Sequence, residues 1–172
     1  MLRKKLLETI TSYQDFPKRG INFRDILPIF QDPELFENLI NQMARNPLWS
    51  ETDAIIAIDA RGFILGSCLS LKLSKPLLTA RKPGKLPSEI IEGKYNLEYG
   101  TNQLEMQKKS ILKYNSFGIV DDLLATGGTV KCVEEIIRSL NKEIKLLSVI
   151  VELKELKGKN RFSFETESQI IF

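Results

Sequence analysis

Short, predominantly apolar runs recur along the chain: Ala54–Ile58 (AIIAI), Leu77–Ala80, Phe117 with Ile119 and Val120, and 146–151. Runs this short, without polar alternation, predict strands buried on both faces, as in a parallel sheet. Between them apolar residues return at helical spacing, over 63–73 and at Val130, Val133, Ile136, Ile137 and Leu140. Strand alternating with helix predicts an α/β fold, a central mostly parallel sheet flanked by helices. An earlier helix is predicted after Asp32 and Pro33, which suit an N-cap and a first turn, with Leu35, Phe36, Leu39, Ile40 and Met43 as its buried stripe. The opening MLRKKLLETI, its apolar stretch broken by Glu8, predicts a short amphipathic helix and lacks a signal-peptide core.

Other stretches depart from this rhythm. DFPKRGINFRDILPIF is punctuated by proline and glycine yet too apolar for a solvated linker, so Phe16, Ile21, Phe23 and Ile26 are expected to anchor a segment that covers something. Residues 88–107 alternate apolar and charged positions around Gly93 and Gly100, which predicts a β-ribbon. Residues 154–161 read as a charged connection with no chemistry of its own, and the FETESQIIF stretch suits a last strand.

Composition narrows the class. With 172 residues, 42% of them hydrophobic, one domain over 1–172 is expected, and no apolar run approaches the ~20 residues that span a bilayer. Cys68 and Cys132 stand singly within helical patterns without metal-type spacing, which suits reduced packing residues and a cytoplasmic location. The net charge of +3, with no arginine-rich tract, fits small anionic ligands and gives hardly any support for nucleic acid. There is no histidine, which excludes hydrolases built on a histidine base; proton transfer must use a carboxylate, lysine or tyrosine.

Chemistry concentrates in FGIVDDLLATGGTV, residues 117–130. Asp121 and Asp122 follow the apolar run and are expected at the strand's carboxyl end, where open α/β sheets bind ligands. Ala125, Thr126, Gly127, Gly128 and Thr129 then form a turn of small and hydroxyl residues before a helix. Free N–H groups at a helix start, glycines permitting close approach, and threonine hydroxyls make a phosphate cradle. Carboxylates beside a phosphate would repel it, so the two acids are expected to accept from neutral hydroxyls elsewhere on the ligand, as a phosphorylated ribose provides. The turn lacks the Lys-Ser or Lys-Thr of a P-loop and contains no G-x-G-x-x-G.

Two acids followed by A-T-G-G-T resemble the phosphoribosyl pyrophosphate motif of the type I phosphoribosyltransferases, in the form found in the adenine phosphoribosyltransferase family. Four further segments between about residues 16 and 152 resemble that family in the same order: the F-P-x-x-G-x-x-F-R-D-I segment, D-A-R-G-F at 59–63, R-K-P-G-K-L-P at 81–87, and Y-N-L-E-Y-G at 95–100. The resemblance implies a type I phosphoribosyltransferase fold with a hood at about 13–30 and a mobile flap at about 86–107.

It also implies roles. Asp121 and Asp122 would hold the ribose hydroxyls, and Ala125, Thr126, Gly127, Gly128 and Thr129 the 5′-phosphate. Asp59 and Ala60, joined in that family by a cis peptide, would bind pyrophosphate with Arg61, Arg81, Lys82 and Lys85; Pro83 carries no weight. Phe23 would stack on the base, backbone groups of Asn22 and Arg24 would read its edge, and Leu123 would line its pocket. Glu98, with Arg61, would be catalytic, and Tyr99 would belong to the flap. Magnesium would ride on substrate oxygens and water with no direct protein ligand. The expected reaction joins adenine to phosphoribosyl pyrophosphate, giving AMP and pyrophosphate, in a homodimer without nucleic acid or membrane partners. Transfer to another purine, or a non-catalytic sensor of phosphoribosyl pyrophosphate on the same fold, remain the alternatives at this level.

Overall fold

The apolar runs all become strands of one sheet. A computed structural model describes residues 2–97 and 100–172, the side chains of 94–97 and 100–102 excepted. The chain opens with α1 (Leu2–Thr9), the hairpin of β1 (Thr11–Gln14) and β2 (Asn22–Asp25), then α2 (Leu27–Phe30) and α3 (Pro33–Met43). Next come β3 (Ala54–Ile58), α4 (Gly62–Leu73), β4 (Leu77–Ala80), and a ribbon of β5 (Ile90–Leu97) and β6 (Gly100–Gln107). After α5 (Lys108–Ile111) follow β7 (Ser116–Leu124), α6 (Gly128–Ser139), β8 (Glu143–Glu152) and β9 (Glu165–Ile171).

Five strands pair in parallel in the order β4-β3-β7-β8-β9. Side-chain alternation splits the core into two layers. Ile56, Ile58, Phe117, Ile119, Leu147 and Val149 pack against Val130, Val133, Ile136 and Ile137 of α6 and against Leu104 and Met106 of the ribbon. Ile55, Val120, Leu146 and Ile150 pack on the other side against α1, α3 and α4, through Leu6, Leu39, Met43, Leu65 and Leu69. Each such side chain taken out of water contributes about 1.5–3 kcal/mol. Asp32 caps α3 as its sequence predicts, accepting from the Leu35 N–H at 3.0 Å. Burial pushes the Cys132 thiol up to about 11, so it packs as a neutral group.

The structure corrects the sequence reading at β7. Asp121 and Asp122 do not follow the strand; they belong to it, because backbone pairing to β8 continues past Val120 with Asp121 opposite Val149, Leu123 opposite Val151 and Leu124 opposite Glu152. Both acids are therefore buried, at 8% and 6% exposure, where the sequence suggested they emerge. The strand suggested near the chain's far end is β9, the sheet's edge beside β8. The charged connection folds as two 3-10 turns, Lys154–Leu156 and Gly158–Arg161.

Candidate active site

Parallel strands deliver their ends to one edge, and there Ile58, which ends β3, and the following Asp59, Ala60 and Arg61 meet Asp121–Leu124 of β7 and the turn after it around a cavity of about 330 Å³. A larger open hollow of about 780 Å³ between α1, α3 and α4 contains none of the candidate site residues read from the sequence.

Close backbone approach sets the site's geometry. A Cβ on Gly62, the first residue of α4, would fall 2.9 Å from the Val120 carbonyl oxygen and 3.1 Å from Asp121 Oδ1. Only glycine lets α4 start against β7, and that contact carries the preceding Arg61 onto Asp122, Nη2 to Oδ2 at 2.8 Å. The contact is an ion pair rather than an aligned hydrogen bond, since Asp122 Oδ2 is buried without a hydrogen-bond partner. Asp121 Oδ1 accepts from the Asp122 N–H at 2.9 Å. Burial first, then the neighbouring Asp122, pushes the Asp121 carboxyl well above the ordinary carboxylate range.

The turn beyond these acids ends on α6 with Gly127 as N-cap at φ +76° and no side chain capping the helix. The first N–H groups of α6 are thus not taken by a capping side chain, the arrangement that receives an anion at a helix start. A second glycine, unnoticed in the sequence, presses on this turn from the β8–β9 connection. A Cβ on Gly158 would lie 2.2 Å from the Ala125 carbonyl oxygen, and one on Gly127 would lie 2.9 Å from the Gly158 oxygen and 3.1 Å from the Phe162 ring. No local pattern in a charge-rich loop announces such a contact.

The basic turn stands one strand further out. Arg81, at the end of β4, places Nε 3.2 Å from Asp59 Oδ2, so the two arginines each pair with an aspartate near the end of β3 or β7. The Asp59–Ala60 peptide is cis, as the resemblance implied. Lys82 and Lys85 are exposed and lie outside the cavity lining.

The segment expected as a hood contains the β1–β2 hairpin, where Phe23 packs edge-on against Phe16 at 5.2 Å. Arg61 links it to the acids, its guanidinium carbon 5.6 Å from the centre of the Phe23 ring. Asn22 is exposed beside it, while the Arg24 guanidinium bonds Ser12 and lies 4.1 Å from the Phe172 ring centre, a tether the sequence did not suggest. Glu98 and Tyr99 fall outside the described residues. Among the described residues, no group of three or more His, Cys, Asp or Glu side chains could hold a metal ion.

Comparison with known proteins places this geometry. Residues 29–165 match the phosphoribosyl transferase domain family. An adenine phosphoribosyltransferase of Prochlorococcus marinus strain MIT 9515 is 53% identical over 171 residues, which cover 99% of this chain and 100% of that protein. The crystal structure of adenine phosphoribosyltransferase from Thermoanaerobacter pseudethanolicus superposes with a TM-score of 0.93 at 37% identity, over 99% of both chains. The Saccharomyces cerevisiae adenine phosphoribosyltransferase, solved with an imino-altritol bisphosphate and adenine, superposes with a TM-score of 0.90 at 32% identity over 98% of both chains.

Proposed function

The chain belongs to the adenine phosphoribosyltransferase family, and we propose that its own residues transfer the phosphoribosyl group of phosphoribosyl pyrophosphate to adenine, releasing pyrophosphate and forming AMP. The observation that carries this reading is the meeting at one sheet edge of an uncapped helix start, two buried acids and an arginine that also faces the hood's aromatic ring. Each part matches a different part of the substrates.

In this reading the N–H groups of the 125–129 turn and the hydroxyls of Thr126 and Thr129 bind the 5′-phosphate. Asp121 and Asp122 accept from the ribose hydroxyls; the Asp122 oxygen that lacks an aligned hydrogen bond supports this. Arg61, Arg81, Lys82, Lys85 and the Asp59–Ala60 backbone bind pyrophosphate, the planar guanidinium groups suiting its paired oxygens. The adenine ring lies on Phe23, with Leu123 beside it and the backbone of Asn22 and Arg24 at its edge.

As the bond from the anomeric carbon to pyrophosphate breaks and the bond to the adenine nitrogen forms, charge moves onto the leaving group, and the arginines stabilise it there. Glu98 serves as general base at the adenine ring, and the ribbon carrying Glu98 and Tyr99 keeps water from the oxocarbenium-like sugar. Magnesium fits this reading carried on pyrophosphate and ribose oxygens and on water, with no direct protein ligand, as a small cation that dehydrates reluctantly prefers. When bound it neutralises pyrophosphate charge. A homodimer belongs to the same reading; Leu71, 83% exposed on α4, and Ile64 on the same face support it, and sedimentation tests it. The unpaired cysteines support a cytoplasmic setting.

The deciding experiment mixes the protein with phosphoribosyl pyrophosphate, magnesium and each natural purine in turn. AMP from adenine alone, abolished by a chelator, is the expected result. Product from another purine, or none from adenine, overturns the reading.

A further inference from the structure

We propose that Glu105 is a positioning residue for pyrophosphate binding, holding the basic turn 81–85 in register with the ribbon that carries Glu98. The inference rests on the pyrophosphate role proposed above for that turn. Glu105 lies in β6 between the buried Leu104 and Met106 and is itself only 4% exposed, a placement that a carboxylate occupies only when something holds it there.

What holds it is the basic turn. The Arg81 N–H donates to the Glu105 carbonyl oxygen at 2.9 Å, and the Glu105 N–H donates back to the Arg81 carbonyl oxygen at 2.8 Å, a single antiparallel bridge between the end of β4 and the ribbon. The side chain adds a third link, Oε2 accepting from the Gly84 N–H at 3.0 Å. Gly84 has φ +74°, so the turn reverses there, and the carboxylate grips it at its reversal.

These links fix Arg81 at both ends. Its backbone is held by Glu105 and its guanidinium by Asp59, leaving the flanking Lys82 and Lys85 exposed on a shaped turn rather than a loose one. β6 also leads directly back from the segment containing Glu98 and Tyr99, so one residue sets the place of the pyrophosphate groups relative to the flap. Glu105 touches no substrate in this arrangement; it acts through Arg81 and Gly84.

Steady-state kinetics on Glu105→Gln, Glu105→Asp and Glu105→Ala, beside Arg81→Ala, tests this. Glutamine keeps an acceptor for the Gly84 N–H without the charge, and aspartate keeps the charge but withdraws the oxygens. The expected result is a KM for phosphoribosyl pyrophosphate raised about 10-fold or more in the Ala and Asp variants, with the KM for adenine close to wild type and Gln largely restoring the value. Should Glu105→Ala fail to fold, the Asp variant carries the same reading. The role of Glu105 is overturned by unchanged KM values in Asp and Ala while Arg81→Ala weakens binding, by equal rises for both substrates, or by Gln behaving as badly as Ala. Unchanged binding in Arg81→Ala as well would overturn the pyrophosphate assignment of the turn, and this proposal with it.

Discussion

Arg61 Nη2 lies 2.8 Å from Asp122 Oδ2, joining the start of α4 to the interior of β7 across the candidate site. The same guanidinium is 5.6 Å from the Phe23 ring centre. Arg61 therefore stands where the three proposed substrate parts, base, ribose and pyrophosphate, converge, and ribose hydroxyls arriving at Asp122 would compete with it and free it for the pyrophosphate.

Replacing Arg61 should remove charge stabilisation of the leaving group. Arg61→Ala is expected to lower kcat/KM for phosphoribosyl pyrophosphate about 10²–10³-fold, the range for losing one preorganised electrostatic donor. Steady-state kinetics at saturating adenine checks it.

Asp121 is placed against the stability of the fold. Burial and the adjacent Asp122 raise its pKa above the ordinary 3.8, so the folded chain binds this proton more tightly than the unfolded one. The stability it contributes is fully present below the unfolded value and is lost as pH rises through the folded one. Asp121→Asn should therefore melt higher than wild type at neutral pH, by about 1–2 kcal/mol, with the difference shrinking as pH falls toward the ordinary carboxylate range. Ribose 5-phosphate binding should weaken in the same variant. Thermal melts across that pH range and calorimetry read both.

Gly158 backs the 125–129 turn, the proposed phosphate site. A Cβ there would fall 2.2 Å from the Ala125 carbonyl oxygen, so Gly158→Ala must displace one backbone or the other. A shift of this size in a positioning element lowers catalysis by up to about 10²-fold. The loss is expected in kcat/KM for phosphoribosyl pyrophosphate with the KM for adenine little changed, a split that kinetics with each substrate varied resolves.

Glu98 is assigned to proton transfer at the base. Glu98→Leu should bind AMP nearly as wild type yet turn over about 10²–10⁴-fold more slowly. Undiminished turnover would remove the assignment.

Ala54–Ile58 was readable to the residue because a strand buried on both faces leaves an unbroken apolar run, and the short Leu77–Ala80 run was readable as its neighbour. The turn at 125–129 was readable too, since its glycines, threonines and helix start are contiguous. Sequence alone thus determined the parallel sheet, the flanking helices and the turn that starts α6. Tertiary structure alone decided that Asp121 and Asp122 lie inside β7, for their backbone partners belong to β8. It decided likewise that Gly158 backs the 125–129 turn and that Glu105 grips the basic one. These are contacts between residues distant along the chain, and their energy depends on separations that only the packed fold sets.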